Sequence, residues 1–403
     1  MRFAEIIKLR EYSRANLKYL NEYYRLTNSN EYSSILGINQ NRKIFYRFPI
    51  LFKLYGIAII CSYPIVLIIW LIKAIINVFQ HHKNWEANSY FLLTSTALPR
   101  VIKRLPQIPN NYLWLETPWL KTLGLDINKT ITVFDVLGVY DIIISFLGAI
   151  IMFYYFLFKK GPWNVLLEYY DFQWLLFFQT LQKIDDNKEL YFCSHMDNWV
   201  PLIDNHKSTK KYLIQHGTLI HKKDPYKLQD ILLKYIPSIN IWCYNIPYKY
   251  RSITKVYSFT DNEYTAVCSS ILANDVPHET VGLSIELQPQ PNDKINVLII
   301  GYYPRYNVYE EKLINVLTKN KKIRVYLKNH PTVSSSNYDS LRSNFDFVFI
   351  NDATYPDADL VFSYESTLAL EYKSMGKNVY LYDEIQITDD NIKDIINKLF
   401  NHI

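Results

Sequence analysis

Nineteen consecutive residues, Leu54 to Ile72 (LYGIAIICSYPIVLIIWLI), carry no charge, and apolar character continues past Lys73 to Phe79. A helix of about twenty residues crosses a bilayer core, and Pro64 in the middle predicts a kink. A second run of seventeen, Ile142 to Phe158 (IIISFLGAIIMFYYFLF), is closed by Lys159 and Lys160. Aromatic residues crowd its C-terminal end, as at a membrane interface. Both runs are expected to associate with a membrane, buried core helices being the alternative. They either span as a pair, with the connecting segment outside, or dip into one leaflet and leave everything on one side. The connecting segment contains the strand-like pieces SYFLLTSTALPRVIKRL and NNYLWLETPWL, and carries Lys83, Arg100, Lys103 and Arg104. Basic residues disfavour export, which favours the one-sided arrangement.

From Gly161 onward short apolar runs alternate with helical stretches, the pattern of a parallel sheet. Expected strands are Glu189–Cys193, Lys211–Ile214, Asn240–Tyr244 and Lys255–Phe259, with a helix over Tyr226–Tyr235. Leu287 to Asp293 (LQPQPND) has two prolines and no apolar periodicity, which suits a linker. A new unit then opens on INVLII, followed by GYYPRY and a helix around Val308–Lys319. Strands IRVYL, FDFVFI, ADLVFS and NVYLY follow, and a helix over Asp389–Phe400 ends the pattern. The expected organisation is a basic N-terminal segment (1–53), a membrane-associating region that begins the first α/β domain (54–160), the rest of that domain (161–287), and a second doubly wound domain (293–403).

The 403 residues suffice for two domains with real cores, and 49% apolar against 20% charged residues exclude a disordered chain. Residues 1–53 hold ten Lys or Arg and four Glu; ten minus four is six, the whole net charge of +6. A basic segment before an apolar run points to an anionic, cytoplasm-facing membrane surface. The basic residues stop where the apolar run starts, so nucleic acid is not the expected partner. Cys61, Cys193, Cys243 and Cys268 form no CxxC pair and no zinc spacing, and are expected to be buried reduced thiols. The first thirty residues lack the apolar centre of a signal peptide.

Ligands of open parallel sheets bind beyond the carboxyl ends of the strands, and three polar clusters fall at such ends. His330-Pro331 follows IRVYLKN: a histidine there can donate to a phosphate, with proline fixing the loop, or it is an ordinary loop residue. Ser363 ends DLVFS, and Ser366 and Thr367 stand where a helix begins; their hydroxyls and the free backbone N–H groups can hold a phosphate, or simply cap the helix. Glu371, one turn on, is placed to accept from ribose hydroxyls. His216 follows KYLIQ in the first domain. Lys328, and Arg305 in GYYPRY, can offset phosphate charge or be solvated surface cations. Asp357-Ala-Asp359 spells DxD but precedes a strand; it reads as a turn, and no metal is expected.

The set HGT (216–218), HP (330–331) and S-x-x-ST (363–367), with a downstream Glu and GKNVYLY (376–382), resembles bacterial GT-B glycosyltransferases that use cytidine nucleotides. These are the sialyl-, polysialyl- and Kdo-transferases of capsule and lipo-oligosaccharide synthesis. QHGT is also similar to the HGT motif of CDP-glycerol glycerophosphotransferases of teichoic acid synthesis. The resemblance covers roughly the last two hundred residues. It implies the GT-B fold, two Rossmann-like domains facing a cleft, with His330, Ser366 and Thr367 on the cytidine monophosphate of a nucleotide-sugar donor. The acceptor would be a glycan or lipid-linked glycan, with no separate cofactor, at the cytoplasmic face of a bacterial inner membrane. The acidic motif that supplies the base in the sialyl and polysialyl families is not placed in this sequence, which leaves the base open. A base near neutral pKa, or a carboxylate, is needed: His216 is the first candidate and Asp197, in CSHMDNW beside His195, the second. Glu116 and Asp171 are further carboxylates. The alternatives are a CDP-glycerol or CDP-ribitol polyol-phosphate transferase and a non-catalytic glycan-assembly protein.

Overall fold

The computed structural model describes residues 3–26, 49–80, 83–94, 98–118, 125–160, 171–193, 199–207, 210–215, 246–282, 285–303, 306–330, 334–350, 354–364, 366–382, 385 and 387–400. The expected strand at 240–244 and helix at 226–235 lie outside these residues, as do Cys243, His195, Asp197, His216, Arg305 and Pro331. The chain divides into two compact units, Met1–Val281 and Gly282–Ile403.

The first unit opens with helices α1 (Phe3–Leu26) and α2 (Pro49–Gln80). Strand β1 (Ser89–Leu93), a short helix α3 (Leu98–Val101), β2 (Tyr112–Glu116), β3 (Thr130–Thr132) and a one-turn α4 (Val133–Val136) lead to α5 (Val139–Lys160). Then come α6 (Asp171–Lys183), β4 (Glu189–Phe192), α7 (Val200–Asn205), β5 (Lys210–Ile214), β6 (Lys255–Ser258), α8 (Asp261–Ile271) and β7 (His278–Thr280). The seven strands form one sheet in the order β3-β2-β1-β4-β5-β6-β7, and every pairing is parallel. The strand-like pieces between the two apolar runs therefore supply two strands of this sheet, β1 and β2. Ser89–Leu92 of β1 lies directly beside Glu189–Phe192 of β4.

Both apolar runs are helices, and α2 continues through Pro64. They pack side by side, with Tyr63 stacked on Phe153 at 3.8 Å between ring centroids. Gly148 lets α5 approach α6: a Cβ there would stand 3.0 Å from Leu175.

The basic N-terminal segment is only partly free for a membrane. Arg10 is fully buried and donates to Asp171 at 2.7 Å; Arg14 reaches the same carboxylate at 3.2 Å. The two guanidiniums lie over the rings of Trp174 and Phe156. Asp171 is thus the buried ion-pair partner that docks α1, and not a solvent-accessible carboxylate. A buried charge stays charged at acceptable cost only with such partners. Two cysteines also depart from expectation: Cys61 is exposed on α2 and Cys268 is only half-buried, whereas Cys193 is buried.

The second unit contains β8 (Ile295–Gly301), α9 (Asn307–Leu317), β9 (Ile323–Asn329), α10 (Asp339–Asn344), β10 (Val348–Ile350), β11 (Leu360–Ser363), α11 (Thr367–Ser374), β12 (Asn378–Leu381) and α12 (Asp389–Phe400). Its sheet is wholly parallel, in the order β10-β9-β8-β11-β12. That is a doubly wound arrangement whose strand order reverses between β8 and β11, the place where such sheets bind ligands. β8 is buried at every position, as a strand covered by helices on both faces must be. The expected linker at Leu287–Asp293 docks here instead. Leu287 packs on the core, and Gln288 bridges to Tyr355 and Asp357 through backbone hydrogen bonds of 2.7 and 2.8 Å.

Candidate functional site

In the second unit, strand register brings three loops to one edge. Asn329 of β9 is level with Gly301 of β8, and Lys328 and Ser363 flank Ile300 on either side. With neighbouring strands about 4.8 Å apart, the residues leaving β9 and β11 stand roughly 10 Å from each other across β8. His330 leaves β9 with its backbone N–H donating to Gly301 O at 3.0 Å. Its ring stacks on Tyr302 at 4.6 Å, and Tyr302 lies 5.5 Å from the ring of Tyr364. Tyr306 stacks on Tyr364 at 5.2 Å. An aromatic row therefore joins the HP loop to the serine loop over the end of the central strand.

Ser363 is buried; its hydroxyl donates to Tyr364 O at 2.6 Å and lies 3.2 Å from Ser366 Oγ. Ser366 is the N-cap of α11 and accepts from Ala369 N–H at 3.1 Å. The capping expectation for this serine is met. The N–H groups at the first positions of α11 still point out of the helix start toward the loop edge, and the helix dipole favours an anion there. Thr367, at that start, is half-buried. Glu371 is fully buried on the packed side of α11, with Leu368, Ala369 and Tyr372. Lys328 is nearly buried and holds its ammonium 5.0 Å from the ring of Tyr355. Gly376 ends α11 with φ +77°, a left-handed conformation that suits glycine.

One residue that the sequence did not flag fixes the central loop. Glu310 on α9 is fully buried and accepts from Tyr302 N–H at 2.7 Å and from the Tyr338 hydroxyl at 2.8 Å. Burial raises its carboxyl above the usual range, and these two donors oppose the rise. Burial also pushes the Tyr338 phenol up, with the Glu310 charge adding to it. Gly301 is required beside this pair, because a Cβ there would fall 2.6 Å from the Tyr338 hydroxyl. The only sequence signal was an acidic residue in the first turn of a helix that comes after a strand–Gly loop.

In the first unit, the strands that lead to the two base candidates are described although the candidates are not. β4, before Asp197, pairs in parallel with β5, before His216, with Phe192 opposite Leu213. The end of β5 is pinned by Gln215, which donates to Glu263 at 2.7 Å and accepts from Phe259 N–H at 3.0 Å. Glu116 ends β2 opposite Leu93. The DxD pair lies at the opposite edge of the second sheet from His330, just before β11. Asp359 accepts from Asn296 N–H at 2.8 Å, and Asp357 pairs with Lys377. Among the described residues, no group of three His, Cys, Asp or Glu side chains could hold a metal ion.

No family model and no curated protein matches the chain. Among solved structures, it is similar to TarM at 16% identity, over 57% of this chain and 51% of that one, with a TM-score of 0.32. It is also similar to the wall teichoic acid polymerase TagF, at 10% identity over 73% and 69% of the two chains with a TM-score of 0.38. A third is the lipopolysaccharide outer core galactosyltransferase WaaB, at 11% identity over 78% and 90% with a TM-score of 0.34. The chain spans about half the length of the TarM structure. These superpositions are loose, and the architecture rests on the strand pairings given above.

Proposed function

We propose that the protein is a membrane-associated glycosyltransferase of the GT-B kind, moving a Kdo-like or sialic-acid-like sugar from a CMP-activated donor onto a surface polysaccharide or lipid-linked glycan. The observation that carries this reading is the common edge formed by His330, Tyr302, Ser363, Ser366 and Thr367 at the reversal point of the second sheet. A phosphate seated there meets the N–H groups opening α11 and the imidazole of His330. The ribose and base extend along the row of tyrosine rings.

In the proposed reaction an acceptor hydroxyl attacks the anomeric carbon of the donor. The bond from that carbon to the phosphate oxygen breaks, and its electron pair leaves on CMP. His330 and the start of α11 stabilise the charge that develops on the departing phosphate. The hydroxyl proton passes to a base, assigned from sequence to His216 and next to Asp197. Lys328 supplies positive charge near the donor, and Arg305, Pro331 and Glu371 are further donor-side candidates assigned from sequence alone. The scheme uses no metal and no cofactor.

Thermal unfolding of the detergent-solubilised protein with CMP, CDP, UDP or GDP at equal concentration tests the donor class. A ligand bound only to the native state raises the midpoint, by about 2.7 kcal/mol of stabilisation at a hundredfold excess over Kd. The expected result is a shift with CMP or CDP that His330→Ala abolishes. A shift with UDP or GDP alone discards the cytidine donor. Turnover of CDP-glycerol or CDP-ribitol, with attack at phosphorus, would replace sugar transfer by polyol-phosphate transfer.

A further inference from the structure

The two apolar helices carry a surface that the fold leaves uncovered. Seven large apolar side chains on α2 and seven on α5 are exposed, among them Ile65, Ile69 and Ile76 on α2 and Leu147, Ile151 and Phe158 on α5. On α5 these recur at helical spacing, while the opposite face (Ile142, Ala149, Met152, Phe153 and Phe156) is buried in the unit's core. Each helix therefore has one apolar face for the protein and another for something else. Each also has 21 residues that are long and apolar enough to cross a bilayer.

The strand pairing excludes crossing. α2 lies between α1 and β1, and α5 lies between β3 and β4. β1 is hydrogen-bonded to β4, so the strands on either side of α5 in the chain belong to one sheet and one side of any membrane. α1 is tied to that same unit by Arg10–Asp171 and by Asn16, which exchanges hydrogen bonds of 3.0 and 2.8 Å with the Tyr248 backbone. Lys159, at the end of α5, also pairs with Glu11 of α1 at 2.9 Å. Both ends of both helices thus stand on one side. A return crossing through 27–48 is ruled out by composition, since that segment holds Glu31, Arg42, Lys43 and Arg47 and no apolar stretch of bilayer length.

We infer that α2 and α5 form an in-plane anchor, laying their exposed faces into a single leaflet of an anionic membrane without spanning it. Lipid is favoured over a second copy by the chemistry of the face. It is almost wholly aliphatic and aromatic, with no Asp or Glu between Pro49 and Lys83 or between Ile142 and Lys160. Protein interfaces carry a polar rim and about one hydrogen bond per 100–200 Å². Two cations on these helices, Lys73 of α2 and Lys159 at the end of α5, are exposed; long basic side chains of this kind reach from an apolar layer to lipid headgroups. Such an anchor is independent of the group that the protein transfers.

Two measurements test it on the full chain. In inside-out membrane vesicles from a bacterial expression host, cysteines placed at Ala4→Cys and Glu86→Cys are labelled with an impermeant maleimide, against the parent chain as background. Both positions are exposed and flank α2. Labelling of both from the outer vesicle face is expected; labelling from opposite faces overturns the inference. Separately, Ile69→Glu with Ile151→Glu is expected to weaken co-flotation with phosphatidylcholine–phosphatidylglycerol vesicles by about tenfold or more. The unfolding midpoint should not move, because both side chains are exposed. If the parent protein instead stays off vesicles as a detergent-free dimer that these charges split, the face belongs to a second copy and the lipid assignment fails.

Discussion

At the scale of single residues, the second unit spends a buried carboxylate to hold a loop. Glu310 has its two acceptors engaged by Tyr302 N–H and the Tyr338 hydroxyl, and Gly301 leaves room for the pair. The consequence is a fixed position for the Tyr302 ring, and through it for His330 and Tyr364. A second buried charge sits in the first unit. Lys211 is almost completely enclosed and donates to Asp204 O and Ser252 Oγ, both at 2.7 Å. Burial lowers its pKa from 10.5 to about 8, with Asp204 opposing the shift. The unfolded chain therefore binds one more proton than the folded chain between those two values, and stability rises with pH across that window. The whole difference is on the order of 3 kcal/mol. Urea unfolding at steps between pH 8 and 10 should show this rise, and Lys211→Met should flatten it. An unchanged slope in the variant would assign the effect to other groups.

At the scale of elements, α11 is held at its start by Ser366 and released at its end by Gly376. Ser366→Ala removes the acceptor for Ala369 N–H and the partner of Ser363 Oγ. Loss of an N-cap costs about 1 kcal/mol, so the unfolding midpoint should fall modestly. If the helix start also binds donor phosphate, the stabilisation by CMP should fall as well. A lowered midpoint with the full CMP response would leave capping as the only role of Ser366. The strands of the second unit were legible because most are short apolar runs ended by Gly, Asn or Ser, and the helix start was legible because Ser-Thr precedes an apolar-periodic stretch. The first unit was harder to read. SYFLL is separated from its partner ELYF by a helix that looks like a membrane span, and local pattern says nothing of pairing across such a gap. Arg10 and Arg14 looked like surface charges because their partner, Asp171, lies about 160 residues away. His330 and the Ser363–Thr367 loop were found from their place at strand ends. Glu310 was not, because its role depends on a turn that brings a helix carboxylate back to the preceding strand.

At the scale of the whole molecule, apolar exposure is divided unequally between the two units. The first carries both uncovered helices. In the second, the exposed large apolar residues are Val308, Tyr309, Val348 and Met375 among the described residues, scattered as on ordinary soluble proteins. The second unit also supplies all five strands of its own sheet and packs both faces into separate cores, one around Leu313, Ile314 and Ile392, the other around Leu298, Val361 and Tyr372. Running from Gly282 to Ile403, it has 122 residues, by 403 − 282 + 1, the size of an ordinary domain. Expressed alone, it should therefore be soluble without detergent and unfold in one cooperative transition. Every donor residue proposed here except the base candidates lies within it, so its midpoint should still rise with CMP, and His330→Ala should remove the rise. A folded fragment that ignores CMP while the full chain responds would show that the first unit contributes to nucleotide binding. A fragment that does not fold would show that its two cores depend on the rest of the chain.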